Sequence, residues 1–425
     1  MKLLQYVFII VVFLYLLLST QCLAENVIVN QFKFDPLGAM KELAEVIDIL
    51  NSKQSTHPDV HLNITQLVEK YGYPVQEYKV TTEDGYVLTM FRIEKKGPPV
   101  LLMHGILLSA DDWVIAGPDD GLAYILASSG YDVWMGNARG NKYSRQHESI
   151  SPEDSKFWEF SWNEIGVNDL PAMIDFVLET TSEKQLAYIG HSQGTTSFFV
   201  MCSEKPEYNQ KISIMIALAP IAAIPNAKSP LARILAPYHY YANVLVKLFK
   251  IHEVLPMPVE YQYMENPVCE IGNGIICSTV LFMFTGFDYE QINQTNLPVI
   301  FSHTPSGSSA QQFIHYLQII NSGVFRKFDY GDNKNQAIYG SSKPPKYRLE
   351  LVKAPVALFY SENDWFSDVE DVTNLQNKLP NVKEMYLVPF KKFNHADFLW
   401  AKDVKRLVYA RITDVLKDSK SMKTI

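Results

Sequence analysis

The sequence predicts an α/β fold: a mostly parallel central sheet with helices on both faces, interrupted by one long, largely helical insertion. Three observations carry this expectation. From Tyr78 onwards, short apolar runs alternate with helix-compatible stretches and turn residues, the texture of strands joined in parallel by helical crossovers. Gly190-His191-Ser192-Gln193-Gly194 stands where one apolar run ends and a helix-compatible stretch begins. Residues 221–346 then break the alternation and separate two strand candidates that should be neighbours.

At the start, Lys2 precedes an apolar run over residues 3–18, followed by Ser19-Thr20-Gln21 and Cys22-Leu23-Ala24. Small residues before Glu25 suit a signal peptide over residues 1–24, cut after Ala24. The run lies just under the length of a membrane span, so an uncleaved anchor is the competing reading. Residues 25–56 form an N-terminal segment in which Leu43, Val46, Ile47 and Leu50 share one helical face, a pro-segment or a docked helix. Asn63-Ile64-Thr65 and Asn293-Gln294-Thr295 are glycosylation sequons, fitting a secretory route.

The α/β core is expected over residues 57–220 and 347–415. Residues 77–81 and 86–92 form a hairpin across Glu83-Asp84-Gly85, and the buried strand candidates are residues 100–103, 131–135, 186–189, 212–218, 356–360 and 385–388. Helices fit at residues 169–179 and 195–203. The insertion over residues 221–346 reads as a cap or lid, and its apolar stretches at residues 238–249 and 275–287 are expected to be mostly cap core. Residues 416–425 read as a frayed tail.

Composition narrows the classes further. The chain is long enough for one large domain with an insertion, at 425 residues. A formal net charge of -8 removes broad attraction for nucleic-acid phosphates. Cleavage after Ala24 would leave Cys202, Cys269 and Cys277, an odd number for an oxidising compartment. Cys269 and Cys277 are close enough in sequence to close a small loop, which the chain-entropy argument values at about 2–3 kcal/mol. Cys202 reads as a small buried apolar side chain, and no spacing suggests a zinc site or other metal centre.

Ser192 is the candidate nucleophile, because a sharp strand-to-helix turn exposes its hydroxyl above a sheet and needs glycine on both sides. Serine is a weak nucleophile and needs a base. His395 follows the last strand candidate by a short loop, whereas His303 and His315 read as structural residues of the cap. Asp364, just beyond residues 356–360, is the candidate acid that orients the imidazole. Its neighbours read otherwise: Asp368 as a helix N-terminus, Asp371 as a solvated face and Asp397 as a local hydrogen-bond partner, with Glu362 a chemical substitute. An oxyanion would need two backbone donors, the N–H of Gln193 and one from His104-Gly105-Ile106-Leu107, with Ile106 preferred and Leu107 the alternative. This chemistry needs no cofactor.

With these residues in hand, the chain resembles the acid lipases, the family of gastric and lysosomal lipases and secreted insect lipases within the α/β-hydrolase superfamily. The resemblance runs from about Pro58 past Trp400 and rests on Tyr71-Gly72-Tyr73-Pro74, Thr82-Glu83-Asp84-Gly85-Tyr86, His104-Gly105-Ile106-Leu107 and Asp132-Val133-Trp134-Met135-Gly136-Asn137-Ala138-Arg139-Gly140-Asn141. Gly190-His191-Ser192-Gln193-Gly194-Thr195-Thr196, Asn363-Asp364-Trp365 and Asn394-His395 complete it. It implies hydrolysis of triacylglycerol or cholesteryl esters under a lid, often in acid, by a secreted or lysosomal protein. The substrate would be met at an oil-water or membrane interface, with no obligate protein partner and no nucleic acid. The resemblance also puts the oxyanion donors on Ile106 and Gln193. Ile106 replaces the family's common leucine, and Lys392-Phe393-Asn394 departs slightly before His395. An esterase for soluble short-chain esters and a silent lipid-binding homologue are the alternatives. The silent reading requires loss of Ser192, Asp364 or His395, and none is lost.

Overall fold

The computed structural model describes residues 57–256, 281–282 and 284–421. The expected signal peptide, the helical pattern before residue 57 and the pairing of Cys269 with Cys277 all lie outside the described residues.

Eleven strands occur among the described residues: β1 Gln76–Thr81, β2 Tyr86–Ile93, β3 Pro99–Met103, β4 Asp132–Gly136, β5 Gln146–His147, β6 Leu186–His191, β7 Ile212–Leu218, β8 Glu253–Val254, β9 Ser308–Ser309, β10 Val356–Tyr360 and β11 Val382–Leu387. The main sheet runs β1-β2-β4-β3-β6-β7-β10-β11, with β5 beside β2. The β1–β2 and β2–β4 pairs are antiparallel, and every pair from β4–β3 to β10–β11 is parallel. The sequence placed each main strand within a few residues. The largest shift is at β11, which starts at Val382 and whose half-exposed edge face gives it no continuous apolar run.

The strand period of two explains the two cores. Leu101 and Met103 of β3 point into one layer with Trp134, Tyr188 and Phe198, while Val100 and Leu102 point into the other with Trp113, Tyr124 and Tyr409. All residues of β3, β4 and β6 are buried, as helices on both faces require. The β1–β2 turn is fixed by polar chemistry. Gly85 takes φ 90°, Thr82 Oγ1 accepts from Tyr86 N at 2.9 Å, and Asp84 binds the buried guanidinium of Arg139, which also pairs with buried Asp169.

The insertion is mostly helical where described, with helices Pro230–Leu235, His239–Leu248, Leu297–His303, Ala310–Ser322 and Asp332–Tyr339 and the two-stranded ribbon β8–β9. One expectation fails here. His239–Leu248 buries none of its residues, and Tyr240, Tyr241, Leu248 and Phe249 are each more than 60% exposed. Ile275 lies outside the described residues, and of the nearby aromatics Phe282 is buried while Phe284 and Phe287 are exposed. The expected core therefore fails for residues 238–249, none of which is buried, while other cap helices bury Val299, Ile300, Ile314 and Ile319. The tail also differs from a frayed end: helix Ala410–Ser421 runs past residue 415, and Leu416 is buried in the second core.

Candidate active site

Strand β6 delivers Ser192 into a turn with φ 51° and ψ -114°, a conformation L-residues rarely adopt. Helix Gln193–Glu204 begins directly after it. A Cβ on Gly194 would lie 2.4 Å from the Met103 carbonyl oxygen, and one on Gly190 would lie 2.8 Å from the Gly194 carbonyl carbon. Strand, helix and the end of β3 approach so closely that both positions must be glycine.

Three residues from three strand ends meet at this turn. Ser192 Oγ is 2.8 Å from His395 Nε2, and His395 Nδ1 is 2.8–2.9 Å from both oxygens of Asp364. The carboxylate can only accept, so Nδ1 carries the proton and Nε2 is left to accept the serine's. Asp364 is fully buried, and its Oδ1 also accepts the amides of Phe366 and Ser367 at 2.8 Å each. The imidazole lies edge-on to Phe366, with ring centroids 5.5 Å apart. Ser192 and His395 keep 8% and 7% exposure, whereas Asp364 keeps none. All the described groups converge at the carboxyl ends of parallel strands, where open α/β sheets bind ligands.

The loop after β3 lies against the serine. A Cβ on Gly105 would come 3.2 Å from Ser192 Cβ. His104 fixes this loop. Its Nδ1 donates to the Gly105 carbonyl at 2.7 Å, while Nε2 accepts from Ala138 N at 3.1 Å. Burial pushes the His104 pKa down to about 4, so it stays neutral and keeps that tautomer. Gln193 opens its helix, where the first amides have no partner within the helix. Ile106 and Gln193 thus lie on the two segments that flank Ser192.

Several supporting groups were given no role by the sequence, although His191 stands inside the motif around Ser192. His191 Nε2 donates to the His395 carbonyl at 3.0 Å, and burial pushes the His191 pKa down to about 3. The cap segment around Gly286 is bonded to both catalytic loops. The Thr285 carbonyl accepts the amides of His395 and Trp365, Gly286 O accepts Asn394 Nδ2 at 2.9 Å, and Phe287 O accepts Asn363 Nδ2 at 3.0 Å. A second cap contact holds the loop after β3: Leu107, at φ 63°, has its carbonyl bound by Ser306 N at 2.7 Å. Beneath it lies a buried polar cluster. Asp111 Oδ2 meets Lys142 Nζ at 2.5 Å and His303 Nδ1 at 2.7 Å, and Asp111 Oδ1 accepts from Tyr143 OH at 2.7 Å.

The other expected residues fall as follows. Asp368 caps helix Val369–Gln376 by accepting from Glu370 N at 2.8 Å. Asp371 is not on a solvated face: it is 4% exposed and accepts from the backbone and side-chain nitrogens of Asn226. His315 is fully buried, stacked on Trp162 at 3.7 Å. Cys202 is a free, fully buried thiol. Asn63 caps helix Ile64–Lys70 and Asn293 is half-buried. Among the described residues no group of acidic, histidine and cysteine side chains is arranged to hold a metal.

With this geometry established, the comparisons with known proteins are specific. Residues 64–117 match the family described as a partial α/β-hydrolase lipase region, and residues 98–237 match the α/β hydrolase fold. Lipase 1 of Drosophila melanogaster is 45% identical over 366 residues, 86% of this chain and 82% of its own length. Gastric triacylglycerol lipase of Homo sapiens is 39% identical over 85% of this chain and 93% of its own. A solved structure of a candidate lipase from Sulfolobus solfataricus, 13% identical, superposes with a TM-score of 0.50 over 81% of this chain and 94% of its own, a likeness of fold. Relationship at these identities over 85–86% of this chain, together with the described sheet, makes this chain a member of the acid lipase family of α/β hydrolases, a carboxylic ester hydrolase by class.

Proposed function

We propose that this protein hydrolyses carboxylic ester bonds of neutral lipids, triacylglycerol and cholesteryl ester, at a lipid-water interface. The observation that carries the reading is the hydrogen-bonded line Ser192–His395–Asp364, 2.8 Å at one step and 2.8–2.9 Å at the other. The relatives named for triacylglycerol hydrolysis support the substrate class, and the exposed apolar helix His239–Leu248 supports an interface.

Ser192 Oγ attacks the ester carbonyl carbon while His395 Nε2 takes its proton. The carbonyl oxygen becomes an oxyanion held by the amides of Gln193 and Ile106, each contributing roughly 3 kcal/mol in comparable sites. Collapse breaks the bond to the alcohol, which leaves with the proton from His395. A water molecule then gives its proton to His395 and attacks the acyl-serine. The fatty acid departs as Ser192 regains its proton. Asp364 stabilises the imidazolium formed at both stages.

A secreted or lysosomal location, cleavage after Ala24 and glycans on Asn63 and Asn293 belong to the same proposal. At Asn63 the capping bonds engage Oδ1, which a glycan on Nδ2 leaves in place. Among the described residues no helix is long and apolar enough to cross a membrane. The deciding experiment is hydrolysis of emulsified long-chain triacylglycerol, cholesteryl ester and a soluble short-chain ester, each at acid and neutral pH. Faster turnover of the emulsions is expected. Activity confined to the soluble ester would make the protein an esterase.

A further inference from the structure

Asp397 lies two residues after His395 and takes no part in the line to Ser192. It is 6% exposed and faces Asp288 of the cap, which is fully buried. The two side chains act on each other across the seam where the cap segment meets the His395 loop, with Thr285 O accepting His395 N and Gln291 O accepting Lys402 N on either side. Asp288 Oδ1 accepts the amides of Glu290 at 3.0 Å and Gln291 at 3.3 Å, but its buried Oδ2 meets no donor among the described residues. Asp397 Oδ2 accepts Asn394 N at 2.6 Å. Asn394 Oδ1 in turn accepts the amides of Ala396 and Asp397, at 2.8 and 3.1 Å.

Two facing buried carboxylates repel, and a proton between them converts the repulsion into a charge-assisted hydrogen bond. We propose that Asp288 and Asp397 share one proton, and that the resulting acid–carboxylate pair is a positioning element that clamps the His395 loop to the cap in acid. Loss of that proton leaves two facing carboxylates and loosens the clamp. This inference rests on the ester-hydrolase reading for its kinetic part.

The surroundings favour the shared proton. Burial is the main influence raising both groups, and at Asp397 the Asn394 amide opposes it while the charges of Asp288 and Asp364 add to it. Glu290 raises Asp288 further, although Glu290 itself pairs with Lys392. Asp403 stands one residue away, behind Gln291, whose Nε2 donates to it at 3.1 Å. His395 faces Asp364 rather than the pair, and no lysine or arginine is among the main influences on either carboxyl. A folded-state pKa raised above the ordinary aspartate value of 3.8 means that the pair's contribution is complete below that value. It is lost as pH rises through the raised value.

The test compares the full-length wild type with Asp288→Asn and Asp397→Asn, whose amides can donate across the pair without a shared proton. Thermal unfolding is followed from about pH 4 to about pH 8 with Ser192→Ala in every chain, so that it reads the pair whether or not esters are substrates. The wild-type melting temperature is expected to fall over this range and those of both substituted chains to change less. In active chains, the wild-type kcat for a soluble ester is expected to fall up to about tenfold per pH unit on its alkaline limb, with KM little changed, and Asp288→Asn to flatten that limb. Unfolding curves that keep the wild-type pH dependence in both substituted chains overturn the shared proton. Flattened unfolding with an unaltered kcat limb overturns the positioning role. Flattened unfolding without ester hydrolysis by any chain upholds the pair and refutes the hydrolase reading instead.

Discussion

His191 Nε2 donates to the backbone carbonyl of His395 at 3.0 Å, so the residue before the nucleophile holds the residue that would activate it. The bond joins the ends of β6 and the loop after β11, which are not neighbours in the sheet. Burial pushes the His191 pKa down to about 3, and Nε2 donates from the neutral and the protonated ring alike, so acid does not break the bond. Replacing His191 with Phe keeps a ring but removes the donor. The expected result is a fall in kcat of about tenfold, the equivalent of one lost hydrogen bond of about 1.4 kcal/mol, with a smaller change in KM. Steady-state kinetics on a soluble ester checks this.

Ser192→Ala is expected to lower turnover by at least about 10⁴-fold, and Asp364→Asn by about 10⁴-fold because its amide stabilises the wrong imidazole tautomer. The two differ in stability. Ser192 contributes one partly exposed hydroxyl, so its loss should move unfolding by less than about 1 kcal/mol. Asp364 accepts two buried amides as well as the imidazole, and its replacement should destabilise measurably. Active-site titration with a fluorophosphonate should label the wild type and leave Ser192→Ala unlabelled; equal labelling would remove Ser192 from its role.

The buried cluster under the loop after β3 has the opposite pH sense to the Asp288–Asp397 pair. Burial disfavours the Asp111 charge, but Lys142 and His303 outweigh it and hold its pKa well below the ordinary 3.8. Its contribution is therefore present above the ordinary value and lost as pH falls through the depressed one. Lys142→Met should destabilise by about 3–5 kcal/mol at neutral pH, where a buried carboxylate loses its cation. Denaturant unfolding of both chains should show the gap narrowing toward pH 4, as Asp111 protonates more easily in the variant.

How much of this was readable in advance follows from the range of each interaction. Strands β3, β6, β7 and β10 are continuous apolar runs because both faces are covered, and Ser192, Asp364 and His395 follow strand ends in chain order. Those signals are local. Thr285, Gly286 and Ser306 support the same site through backbone atoms from the cap, and a backbone carbonyl leaves no trace in residue identity. Asp371 failed for a related reason: its helix looks amphipathic and polar, yet Asn226, 145 positions away, covers it. Apolar composition likewise could not tell a cap core from an exposed helix.

That exposed helix gives the last expectation. Over His239–Leu248 the aromatics Tyr240 and Tyr241 and, one turn or more later, Val244 and Leu248 are all at least 46% exposed. Each large apolar side chain moved from water into a lipid surface contributes about 1.5–3 kcal/mol. Tyr241→Asp together with Leu248→Asp should therefore weaken attachment to an emulsion by tenfold or more at roughly 1.4 kcal/mol per decade. Neither residue is buried, so folding and the reacting groups stay intact. Turnover of emulsified long-chain triacylglycerol should drop by at least about tenfold while hydrolysis of a soluble short-chain ester stays within about twofold. Parallel losses on both substrates would mean that the helix acts on the reacting site itself rather than on the lipid surface.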